Sequence, residues 1–127
     1  RTLTAADLRP KLRLDGEARL ADLSVPIVEA VLGLGPFGVG NPAPQFASGW
    51  LELAGAPRPV GRDGEHLQFV VREGTCTMKA IAFGKADHAQ RLLDHRRCRL
   101  AFEPILNDFN GRRSVELQVI DIRYPEE

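Results

Sequence analysis

The stretch CTMKAIAFGKADHAQRLLDHRRCRLAFEPIL, residues 76–106, decides the fold. Residues 76–83 form a mostly apolar run bounded by turn residues, the mark of a strand. Residues 85–95 set Ala86, Ala89, Leu92 and Leu93 on one stripe at helical spacing. Residues 98–106 return to a strand. Working outward, Asn107-Asp108-Phe109-Asn110-Gly111 is a turn whose Asn-Gly pair signals a hairpin, and a last strand spans 114–123. Upstream, 66–72 alternates Leu67, Phe69 and Val71 with His66, Gln68, Val70 and Arg72, and Glu73-Gly74 turns the chain. A Gly- and Pro-rich connection over 55–65 separates that strand from another at 47–54, which carries Trp50, Leu51 and Leu53.

Three strands, a helix and a hairpin form the chain order of the OB-fold, so the expected fold is mainly β: a five-stranded barrel with a helix between strands three and four. Closure removes the sheet edges that five strands would otherwise leave exposed. The competing arrangement is an open α+β sheet with the helix on one face. A lead-in over 1–45 precedes the barrel at 46–127. In it, Thr4 caps a short helix over 5–9 that Pro10 stops, and residues 11–14 alternate as a short strand ending at Asp15-Gly16. Ser24 is an N-cap and Pro26 fits a first helical turn, which predicts a helix over about 24–34. Residues 35–46 hold three Gly and three Pro, which exclude a helix interior or a central strand. Phe37 and Phe46 are expected to anchor the two ends of this joint.

Seventeen Lys and Arg balance seventeen Asp and Glu, where a freestanding nucleic-acid binder often carries a basic excess. Local clusters remain, Arg96, Arg97 and Arg99 in one place and Arg112 and Arg113 in another. Cys76 and Cys98 fall outside any CxxC or Cys/His ligand pattern and sit in apolar runs, which points to reduced, packed thiols and a cytoplasmic setting. No apolar run approaches the ~20 residues that span a bilayer, and no secretory signal opens the chain. The chain begins at Arg1 without an initiator Met, so a piece of a larger protein is expected.

The joint PFGVGNPAPQF, residues 36–46, resembles the PFGxGNPxPxF segment of the RecJ family of single-strand-specific 5′→3′ DNA exonucleases. His66-Leu67, the run KAIAFG at 79–84 and the run VELQVIDI at 115–122 resemble later strands of that family's OB domain, so the likeness extends from about Leu20 to Arg123. The resemblance implies a carboxy-terminal OB domain that binds and guides single-stranded DNA for a separate core. That core uses Asp/His motifs to hold divalent Mg or Mn. The implied partners are single-stranded DNA, the absent core and a single-strand-binding protein, with no membrane. No cofactor is expected in this chain: Asp87-His88 and Asp94-His95 lack the partners of a two-metal site and read as surface helix residues. No phosphate loop or nucleophile motif appears either.

OB barrels hold single strands on the face of strands two and three, with the loops joining strands one to two and four to five. That rule selects Arg58 and Arg62 from the first loop, His66, Gln68 and Arg72 from strand two, and Asn107, Phe109, Asn110, Arg112 and Arg113 from the second loop. Lys79 of strand three joins them only if a bulge intervenes, because its neighbours by alternation, Ile81 and Phe83, read as core. Phe109 is the expected stacking residue and Arg112 and Arg113 the phosphate contacts. The rival reading is a protein-interaction module docking on the core or on a single-strand-binding protein; neutral charge and few surface aromatics favour it.

Overall fold

The computed structural model describes residues 16–33 and 44–125. The expected helix over 5–9, the strand over 11–14 and residues 35–43 of the joint, with Phe37, lie outside them. The described elements are helix α1 (Val25–Leu32), strands β1 (Phe46–Ala47), β2 (Leu51–Leu53), β3 (Arg58–Val60), β4 (His66–Glu73) and β5 (Cys76–Ala82), helix α2 (Ala89–His95), and strands β6 (Arg97–Phe109) and β7 (Arg112–Arg123). Short 3-10 turns at Leu20–Asp22 and Ala86–His88 precede α1 and α2. No helix among the described residues is long and apolar enough to cross a membrane.

The pairings close into a ring. β4 lies antiparallel to β2 and β5, β5 parallel to β7, β7 antiparallel to β6, and β6 antiparallel to β2 and β1. This is the expected OB arrangement, with α2 between β5 and β6, the third and fourth strands of the OB order, and the open-sheet alternative does not hold. Opposite residues shift register where Phe102 faces Val119 and Ala101 faces Asp121, leaving Ile120 as an extra, unpaired residue. Such a bulge bends its strand, which a small barrel needs in order to close.

The strand count differs from the five expected, for two physical reasons. The first strand breaks at Ser48, whose backbone N–H still donates to the Leu100 carbonyl at 2.8 Å. The buried Ser48 Oγ accepts from the Leu100 N–H at 2.9 Å and donates to the Gly49 carbonyl at 2.7 Å, so a side chain replaces part of the ladder. The second difference is β3, which forms inside the Gly- and Pro-rich connection. It pairs only with β4, and an outer strand tolerates Pro59 because one backbone side needs no partner.

Large inward residues face small ones. Phe69 pairs with Ala80 and Leu67 with Ala82, all buried. Leu51, Leu53, Val71, Leu100, Phe102 and Leu117 complete the barrel interior, and Leu92 of α2 is fully buried with them. The lead-in joins this same core through Ala18, Leu20, Leu23, Val28 and Val31. It is fastened by backbone bonds between Ala18 and Ala47 and between Ala47 and Gly16, and by the Leu20 N–H donating to the Glu73 carboxylate at 2.8 Å. Ser24 caps α1 as expected, accepting from the Ile27 N–H. Phe46 is buried beside Phe102, ring centroids 6.2 Å apart. Both cysteines are free thiols, and burial pushes the Cys98 thiol up to about 12, which leaves it protonated and inert.

The Asp/His pairs of the α2 region hold an aromatic anchor. His88 Nδ1 lies 2.7 Å from the Tyr124 hydroxyl, the His95 ring stacks on Tyr124 at 5.0 Å and the Arg91 guanidinium sits 4.3 Å from the same ring. His88 and His95 are thus packing residues, because Tyr124, just past β7, is buried and needs partners, whereas Asp87 and Asp94 are exposed on the surface as expected. Burial lowers the His88 pKa below its ordinary 6.5, with Arg91 and Lys85 adding to the shift and Asp87 and Asp121 opposing it. The folded chain therefore keeps the ring neutral where the unfolded chain takes up a proton. Stability is full above about pH 6.5 and is lost as pH falls through the lower folded value. Urea unfolding across mildly acidic pH is expected to show this loss, and His88→Gln to flatten it. An unchanged profile in the variant would assign the acid sensitivity elsewhere.

Candidate nucleic-acid interface

Alternation along β4 and β5 builds one outward face. On β4, Leu67, Phe69 and Val71 point into the barrel, so His66, Gln68, Val70 and Arg72 point out. On β5, Ala80 and Ala82 are the buried residues, so Thr77, Lys79 and Ile81 point out, and Phe83 just beyond is 54% exposed. This corrects the assignment of Ile81 and Phe83 to the core. No bulge is needed for Lys79 to join the face, because the barrel interior opposite Phe69 and Leu67 has room only for alanine methyls.

Residues directly opposite in a ladder project from the same face, so the registers order this surface into rows. Arg58, Gln68, Ile81 and Gln118 form one row across β3, β4, β5 and β7. Val70, Lys79 and Glu116 form the next, and Glu52, Arg72 and Thr77 the last. At the first end His66 meets Phe83 edge to face, centroids 5.1 Å apart, and its Nδ1 accepts from the Gly84 N–H at 2.8 Å. His66 is therefore a fixed support for Phe83. Arg62 stands exposed at the tip of the turn between Gly61 and Gly64 that brings the chain into β4.

The β6–β7 hairpin rises beyond the opposite end of the face. Its two-residue loop is Asn110-Gly111, both at positive φ (54° and 74°), the geometry that an Asn-Gly pair favours in a hairpin. Phe109 and Arg112 pair across the loop, and Phe109 is 70% exposed. Arg112 has no carboxylate partner among the described residues, whereas Arg113 has two. It donates to Asp108 at 2.9 Å and to Glu29 of α1 at 2.7 Å. Those hydrogen bonds raise its pKa and lower that of Asp108. Arg113 is thus neutralised in place and ties the hairpin to the lead-in helix. Arg72 is similarly paired with Glu52 at 2.7 Å, and Asn107 donates to Glu116 at 2.7 Å. Of the cations expected at the interface, Arg58, Arg62, Lys79 and Arg112 have no carboxylate partner among the described residues.

One surface group escaped the sequence reading. Trp50 is 39% exposed and carries the guanidinium groups of Arg97 and Arg99 at 5.5 and 5.7 Å from its ring centroid. Sequence distance hid this cluster, which forms only because β2 pairs with the start of β6. Among the described residues no group of three or more His, Cys, Asp and Glu is placed to hold a metal ion.

Comparison with known proteins gives a consistent result. A family model described as "RecJ OB domain" matches residues 14–121. The single-stranded-DNA-specific exonuclease RecJ of Bacillus subtilis is 24% identical over 125 residues, covering 98% of this chain and 16% of that protein. The Haemophilus influenzae protein of the same name is 29% identical over 107 residues, covering 83% of this chain and 18% of that protein. The crystal structure of RecJ from Thermus thermophilus in complex with Mg2+ superposes with a TM-score of 0.60 at 25% identity, covering 94% of this chain and 16% of that one. This chain thus spans less than a fifth of the length of these relatives.

Proposed function

The chain belongs to the RecJ OB domain family, and from that membership we propose that it holds single-stranded DNA on the β4–β5 face and guides it to a catalytic core elsewhere in a longer nuclease. The observation that carries this reading is the placement of two solvent-open rings, Phe83 and Phe109, toward opposite ends of a face with unpaired Lys79 between them. Seven residues of strand separate those ends, about 23 Å at ~3.3 Å per residue. That length matches several nucleotides, within the ~4–16 that an OB barrel holds.

The division of labour follows from the chemistry of each group. Unpaired bases stack on Phe109 and Phe83, which requires no particular sequence because every base has a π-face. Lys79, Arg58, Arg62 and Arg112 meet phosphates, and Gln68, half-buried between Arg58 and Ile81, hydrogen-bonds to the strand. Arg72, Arg113, Asn107 and Asn110 shape the surface instead: the first three are committed to protein carboxylates, and the fourth sets the turn. Hydrolysis and any Mg or Mn it uses are assigned to the separate core, as family membership supports.

Anisotropy of fluorescent oligo-dT tests the proposal. Binding is expected to weaken with salt, with a slope of about −0.7 log units per log salt for each phosphate contact on a single strand. Lys79→Ala and Arg112→Ala should each flatten that slope by about one such increment, and Arg113→Ala should leave it unchanged. Absence of binding in the micromolar range, with retained binding to a catalytic-core fragment, would replace this reading with a protein-docking role.

A further inference from the structure

We propose that the Trp50–Arg97–Arg99 cluster is a second nucleotide-binding patch, on the β2–β6 side of the barrel. It shares with the β4–β5 face only the class of ligand. In the ring of strands, β6 is separated from β4 by β2 and from β5 by β7. Arg97 and Arg99 project outward on either side of buried Cys98, and the β2–β6 register, Leu51 opposite Cys98, sets Trp50 beside them. A hollow of about 310 Å³ adjoins the indole, with Ser48, Arg99, Asp121, Arg123 and Tyr124 among its walls.

Two cations beside one aromatic ring distinguish this patch. Arg72 and Arg113 are each held by protein carboxylates, and Arg123 pairs with Asp121. Arg97 and Arg99 have no carboxylate within ion-pair distance among the described residues, and their guanidinium carbons lie 5.5 and 5.7 Å from the indole centroid, within cation–π range. Arg99 is further steadied by donating to the Ser48 carbonyl. A guanidinium carries five N–H donors, of which Arg99 commits one to Ser48, so both groups keep donors to meet an anion. The patch therefore offers a flat aromatic surface within a few ångströms of two positioned cations. A ligand that uses both needs a planar ring joined to an anionic group, which is one nucleotide unit of a single strand. An acidic aliphatic peptide would satisfy the cations and leave the indole unused. A strand bound here as well as on β4–β5 wraps part of the barrel, which lengthens the footprint and sets the direction in which the strand leaves.

Trp50 is the one tryptophan in the chain, so its emission reports on this patch alone. The test titrates the full chain with oligo-dT, reading tryptophan emission and oligo anisotropy together. Quenching that saturates in step with anisotropy is expected, retained in Phe109→Ala. An Arg97→Gln/Arg99→Gln variant and Trp50→Ala should each weaken binding about tenfold, at the mild end of what loss of one stacked base costs, and Trp50→Phe should restore it. An unchanged melting temperature separates lost contacts from lost folding. Rising anisotropy with constant emission overturns this patch and leaves the β4–β5 reading standing. Quenching with affinity insensitive to Lys79→Ala and Phe109→Ala does the reverse. Quenching by polyglutamate but not by oligo-dT overturns it in favour of an acidic protein partner, and no response in either signal overturns both sites.

Discussion

Phe102→Ala is expected to lower the unfolding free energy by about 3–5 kcal/mol, the cost of emptying a buried aromatic site. Phe102 is completely buried, stands opposite Phe46 on one side and Val119 on the other, and packs on the Phe46 ring. It also lies at the register shift where β7 bulges, so the void would open at the point where the ring of strands bends. Domains of this size are stable by only about 5–15 kcal/mol, so the variant should lose a large share of that margin. Urea denaturation monitored by circular dichroism measures the difference. A loss below about 1.5 kcal/mol, the size of a conservative core swap, would show that the site collapses around the missing ring and is not a fixed part of closure.

Phe109→Ala is expected to do the opposite: leave stability intact and weaken oligo-dT binding by about tenfold to a hundredfold. The range follows from ~1–3 kcal/mol per stacked base at 1.4 kcal/mol per tenfold. The ring is 70% exposed and pairs only across the tip of a hairpin, so little packing is lost when it goes. Phe109→Trp should retain or improve affinity, since indole offers a larger stacking face. Equilibrium anisotropy paired with thermal melts decides the matter. If the melting temperature drops along with affinity, the ring is structural; if affinity does not move, the hairpin tip takes no part in holding the strand.

Alternation made most of the barrel legible in advance. Leu67, Phe69 and Val71 were readable as inward because apolar and polar residues take turns along β4. The same rule misled on β5, where size suggested that Ile81 and Phe83 belong inside. The interior takes Ala80 and Ala82 there because Phe69 and Leu67 already fill the space, a fact of cross-strand register that one strand does not carry. Pro59 argued against a strand at 58–60, yet an outer strand spares it the missing hydrogen bond. The turn chemistry of Asn110-Gly111 exposed Phe109 as expected, because local signals suffice for a two-residue loop. The fate of Arg113 was beyond reach: it depends on Glu29, a residue of a distant helix that only the folded chain brings within 2.7 Å. Trp50 was missed for the same reason.

The parallel seam between β5 and β7 has a kinetic meaning. All the other long ladders join antiparallel neighbours, and two of them are tight hairpins that zip from local turns. The seam instead joins segments separated by α2 and all of β6, so a long intervening chain must be gathered before a single contact rewards it. Without the seam β5 would be an unpaired edge, the kind of strand that pairs with a neighbouring copy. Closing the ring needs this seam and the still less local β2–β6 ladder, and the β6–β7 hairpin that presents Phe109 supplies one strand to each.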